Sequence, residues 1–87
     1  MTGGKRRSAG IMTASDLQDL LVRSLVRKAG GTQRRWRMVV GPVRLHAIAT
    51  HPHCNWSLNP SGDWRDVAEV ERLVDQVKLD HSIVSAG

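Results

Sequence analysis

Apolar residues recur at two different spacings along this chain, and the change of spacing divides it. Leu17, Leu20, Leu21 and Leu25 fall at helical intervals, Val22 and Val26 widen the stripe, and Asp19, Arg23 and Arg27 line the opposite side. That pattern predicts an amphipathic helix with a solvated outer face. Ser15 followed by Gln18 matches a capping box at its start, with Thr13 as an alternative N-cap stapled by Met12 and Leu17. Gly30-Gly31 is expected to end the helix.

From Arg34 the period reads as two. Trp36, Met38 and Val40 alternate with Arg35, Arg37 and Val39, and after Gly41-Pro42 a second alternation sets Val43, Leu45, Ala47 and Ala49 against Arg44, His46, Ile48 and Thr50. Two strands joined by a tight Gly-Pro hairpin are predicted, pairing Val40 with Val43, Met38 with Leu45 and Trp36 with Ala47. His51-Pro52-His53-Cys54 then forms a turn, and residues 55–59 read as a third strand with Trp56 opposite Ala49 and Leu58 opposite Ala47. Asn59-Pro60-Ser61-Gly62 ends the sheet.

A second helix follows, capped by Asp63 or Ser61, with Val67, Val70, Val74 and Val77 as its stripe and Leu73 beside it. Ile83 and Val84, beyond Asp80-His81, are expected to dock on the core. The expected fold is therefore α+β, with the order αβββα: a three-stranded antiparallel meander with both helices packed on one face. Residues 1–12 are expected to be a disordered basic tail, residues 13–84 a single domain and residues 85–87 a C-terminal tail.

Composition narrows the setting. An 87-residue chain buries only roughly 60–65% of its unfolded surface, which makes three tryptophans, Trp36, Trp56 and Trp64, valuable core material. The alternation turns Trp36 and Trp56 inward and leaves Trp64 as the exposed aromatic. A single cysteine, Cys54, excludes an internal disulfide framework and suits a reducing, cytoplasmic setting. No apolar run reaches the length of a membrane span, and the basic start has no apolar stretch after it. The net charge of +5 is unevenly divided. Residues 1–46 carry ten Lys or Arg against two acids, whereas residues 47–87 carry three against six. A basic half favours polyanionic partners.

Candidate chemistry follows from the face of the sheet that the helices leave open. Arg35, Arg37, Arg44, His46, Thr50, Asn55, Ser57 and Asn59 fall on it, more basic than solvation alone requires. The principal expectation is a non-enzymatic nucleic-acid-binding domain, for RNA in particular. Lys5, Arg6 and Arg7 would serve as a phosphate-seeking arm, Arg35, Arg37 and Arg44 as fixed phosphate contacts, and His46, Asn55 and Ser57 as hydrogen-bonding neighbours. One alternative is an interaction module that docks an acidic protein partner, or a second copy, at a sheet edge. Another is RNA cleavage with His46 as acid or base beside Arg37. His46, His51, His53 and Cys54 include good zinc donors, but three of them crowd one turn and no second pair exists, so no metal or other cofactor is expected. Cys54 beside His53 and the two Gly-Gly pairs are too sparse to specify a nucleophile or a phosphate loop.

The order helix, meander, helix over residues 13–81 resembles in topology the double-stranded RNA-binding domain and the compact HicA-type messenger-RNA interferase toxins. The former presents a lysine cluster at the start of the last helix, where this chain has Asp63-Trp64-Arg65-Asp66. The latter carries Gly-Ser-His near the start of the second strand, where Gly41-Pro42-Val43 stands here. The resemblance is one of topology and transfers no site residue.

Overall fold

The computed structural model describes residues 12–86. Three helices and a two-stranded antiparallel ribbon follow in the order α1 (Ala14–Ala29), α2 (Gln33–Val40), β1 (Arg44–Leu45), β2 (Trp56–Ser57) and α3 (Trp64–Asp80). The class is α+β, but the three-stranded meander does not form. The first expected strand is a helix, and the other two shrink to a two-residue pairing.

The first helix begins at the alternative cap. The Thr13 hydroxyl accepts from the Asp16 N–H at 3.0 Å, and the Asp16 carboxylate accepts from the Thr13 N–H at 3.5 Å. This reciprocal box satisfies two donors that a helix start leaves over. Gln18 is thereby free for a longer reach, and its amide donates to the Gly41 carbonyl at 2.8 Å. Leu17, Leu21, Val22 and Leu25 are buried, as the stripe requires.

Residues 33–40 satisfy two periods at once. Trp36, Met38 and Val40 alternate, yet Trp36, Val39 and Val40 also fall at the i, i+3, i+4 spacing of a helix face, and those three are buried in α2. Three observations explain why the helix prevails. The Thr32 hydroxyl accepts from the Arg35 N–H at 3.1 Å and caps the start. Gln, Arg and Met are good helix formers. Gly30 and Gly31, at φ +80° and +88°, turn the chain back onto α1 within three residues, so a short helix packs at once. At Gly31 a Cβ would lie 2.9 Å from the Arg35 guanidinium as well. At the other end Gly41, at φ +68°, is a helix stop followed by Pro42 and not a hairpin turn.

With no strand over residues 34–40, the following segment pairs only where it meets β2. Arg44 faces Ser57 and Leu45 faces Trp56, and the His46 N–H donates to the Asn55 carbonyl at 2.8 Å. Trp56 therefore meets Leu45 and not Ala49. The chain between closes a local turn, with the Thr50 and His51 N–H groups both donating to the Ala47 carbonyl. Strands of two residues leave almost no edge to template another chain.

The core joins α1, α2 and α3 around Trp36 and Trp56, each at most 2% exposed, with Val84 beneath them in the same cluster. Both indole N–H groups are satisfied: Trp36 donates to the Gly30 carbonyl and Trp56 to the His81 carbonyl, each at 2.7 Å. The C-terminal segment is tied down at several points. Ser85 bridges Thr13, with the Ala14 N–H donating to Ser85 and the Ser85 N–H to Met12. The Asn55 side chain grips Val84 from both sides, its amide donating to the Val84 carbonyl at 2.7 Å and its oxygen accepting from the Val84 N–H at 2.9 Å.

Two measurements check these assignments. Val39→Asp places a charge at a buried position of α2 and is expected to destabilise by several kcal/mol, whereas Met38→Asp, at a position 75% exposed, stays within about 0.5 kcal/mol in urea denaturation. A strand over residues 34–40 would give the reverse order. Asn55→Ala strips both buried Val84 backbone groups of their partners and is expected to cost about 2–4 kcal/mol. A loss below about 0.5 kcal/mol would show that the clamp does not hold the tail.

Candidate functional site

The open sheet face expected to gather the basic residues is absent, and its members part company. Arg35 lies on α2 and reaches both carboxylate oxygens of Asp66 on α3, at 2.7 and 2.8 Å, with its guanidinium 4.9 Å from the Trp36 ring centre. Arg37, on the same helix, pairs with Asp19 of α1 at 2.7 Å. Both arginines pin α2 to its neighbours through exposed ion pairs of modest strength. Arg37 is therefore not the arginine beside His46. Asn55, expected on the open face, is 5% exposed and occupied by Val84. Lys5, Arg6 and Arg7 lie outside the described residues.

Arg44, His46 and Ser57 do come together. Residues directly opposite in an antiparallel pair project to the same side, so Arg44 and Ser57 share one face of the ribbon, while Leu45 and Trp56 take the other. Trp56 is buried, which fixes the Arg44 side as the outer one. The His46 Nε2 lies 2.8 Å from the Ser57 hydroxyl oxygen. His51 returns from the loop and stacks on His46, with ring centres 4.4 Å apart and planes inclined by 23°. The His51 Nδ1 is 2.9 Å from the Thr50 hydroxyl oxygen, which itself donates to the Ala47 carbonyl. Cys54 turns away, its thiol donating to the Trp56 carbonyl at 3.3 Å. Among the described residues no three His, Cys, Asp or Glu side chains converge as metal ligands.

A second basic surface was not singled out by the alternation. Arg27 and Lys28 close the last turn of α1 and Arg34 opens the first turn of α2, so all three flank the Gly30-Gly31 turn, with Arg23 one turn back along α1. All four are exposed and none forms an ion pair among the described residues. Cations are favourable at the end of α1 but unfavourable at the start of α2, whose first turn holds no acid. Local helix stability therefore does not account for Arg34. The signal in the sequence was the density of Lys and Arg on both sides of a Gly-Gly turn. An alternating reading of residues 34–40 conceals it by sending Arg34 to a sheet.

Charge is segregated by element. The α1–α2 hairpin carries six Lys or Arg against two acids, and α3 carries three against five. A hollow of about 460 Å3, lined by Ser15, Gln18, Arg37 and Pro42 among others, contains one ionisable side chain, already paired with Asp19. No helix of the described residues is long and apolar enough to cross a membrane. No family model, curated protein or solved structure matches this chain, so its functional reading rests on its own residues.

Proposed function

We propose that the protein binds nucleic acid through its phosphates, using the turn end of the α1–α2 hairpin in place of a sheet face. The observation that carries the reading is the cluster of Arg23, Arg27, Lys28 and Arg34, exposed and without acidic partners among the described residues, on an element whose counter-charge lies mainly on α3. Guanidinium and ammonium groups so placed neutralise phosphates and release the counterions condensed on them. Phosphate contacts of this kind supply register and affinity rather than sequence readout. Lys5, Arg6 and Arg7 add three further cations in the sequence.

Binding to a fluorescein-labelled mixed-sequence RNA or DNA is expected to weaken with salt, with a logarithmic slope of about 3–4 if the four hairpin cations each meet a phosphate. The triple variant Arg27→Glu, Lys28→Glu, Arg34→Glu is expected to lose at least about tenfold in affinity, while Arg72→Glu on α3 stays within about twofold. Fluorescence polarisation measures both. Absence of binding at low ionic strength, or equal losses in the two variants, overturns the reading.

A further inference from the structure

The outer face of the ribbon groups Arg44, Ser57 and His46, with His51 stacked on His46, apart from the cations around the Gly30-Gly31 turn. We infer that Arg44, His46, His51 and Ser57 bind a single phosphate group, and that binding is switched on by protonation of the stacked histidines.

The donors that the cluster presents depend on where its protons sit. The Thr50 hydroxyl has one proton and two acceptors within reach; when it is given to the Ala47 carbonyl, the His51 Nδ1 is the donor at the Thr50 oxygen. In that arrangement neutral His51 carries its lone pair on Nε2. His46 is coupled to Ser57 in a complementary way. When His46 Nε2 bears no proton it accepts from the Ser57 hydroxyl and uses up that donor. When Nε2 is protonated it donates to the Ser57 oxygen, and the Ser57 O–H is released to point elsewhere. With a proton on both Nε2 atoms the cluster offers Ser57 O–H and His51 Nε2–H to the solvent beside the exposed Arg44.

The charge balance selects an anion as the ligand. No carboxylate among the described residues lies within ion-pair distance of either ring, so an imidazolium formed here has no internal counter-ion. The groups placed against the rings are Ser57, Thr50, the Asn55 backbone and each other, with Arg44 as the charged neighbour on the same face. An anion bound beside the stacked rings favours their charged forms, so ligand and proton bind cooperatively. A tetrahedral oxyanion offers several acceptors at once to donors arriving from a guanidinium, an imidazolium and a hydroxyl.

The source of the phosphate is either a free ion or a nucleic-acid backbone, and the test separates them. Imidazole proton signals of the full chain are followed by NMR during titration with inorganic phosphate, and with sulfate as a tetrahedral anion whose charge is constant over the range, at fixed ionic strength. At pH 6 the His46 and His51 signals are expected to shift saturably while His81 does not. The affinity for sulfate is expected to fall at least about threefold by pH 8. Arg44→Gln and His51→Gln, both at exposed positions, are expected to abolish the response while leaving the amide signals of the three helices unchanged. In parallel, polarisation with the labelled oligonucleotide at pH 6 and pH 8 is compared between the native chain and Arg44→Gln.

Saturable shifts with the inorganic ions assign a small phosphate ligand. A pH-dependent oligonucleotide affinity that Arg44→Gln flattens assigns a backbone phosphodiester. If neither is seen, the proposal fails. The triple hairpin variant keeps the histidine response if the two sites are separate, so loss of one reading leaves the other standing.

Discussion

The Asn55-Trp56 dipeptide is the joint on which the rest of the molecule depends. Asn55 supplies a side-chain amide that behaves like a strand partner, accepting from and donating to the same residue, Val84. Its own backbone gives an N–H to Ser82 and takes one from His46. Trp56 fills the core from the adjacent position and anchors the end of α3 through His81. One short segment therefore links the ribbon, the last helix and the C-terminal strap, and the strap in turn is bonded to the start of α1. Removing the amide would leave two buried backbone groups without partners, a cost that a small core has little surplus to absorb.

Much of this was legible in the chain, but unevenly. The stripes of α1 and α3 obey a single period, and both helices are found where that period puts them, with Leu17, Leu21, Val22 and Leu25 buried in one and Val70, Leu73, Val74 and Val77 in the other. Trp36 and Trp56 are buried and Trp64 is 72% exposed, as alternation suggested, although Trp36 reaches the core from a helix. Residues 33–40 fail because eight residues are too few to separate a period of two from one of 3.6 when Trp36, Val39 and Val40 satisfy both. The deciding information lay at the borders: Thr32 as a cap and Gly41-Pro42 as a stop. Each fits a helix end, and the second also fits a tight turn.

That single misassignment propagates to function. A strand over residues 34–40 collects Arg35, Arg37, Arg44 and His46 on one sheet, whereas the helix turns Arg35 toward Asp66 and Arg37 toward Asp19. The cations left free of acids then sit elsewhere, around the Gly30-Gly31 turn. Asn55 shows the opposite failure: its type suggests a polar surface, and only the three-dimensional position of Val84, twenty-nine residues away, gives it an interior role. The contact of His46 with Ser57 was hidden for the same reason: the alternation set Trp56 opposite Ala49, whereas the ribbon pairs Ser57 with Arg44 and leaves His46 diagonal to it, within reach of its hydroxyl and of the His51 ring.

The bridge between Thr13 and Ser85 has a topological meaning beyond its hydrogen bonds. It brings the first and last parts of the described chain side by side, so the path from α1 to the strap is nearly a closed ring. In such an arrangement chain order and spatial order are only loosely coupled. A few linking residues would join the strap to α1, and new ends could then be opened in the exposed loop over residues 47–53 while every helix kept its neighbours.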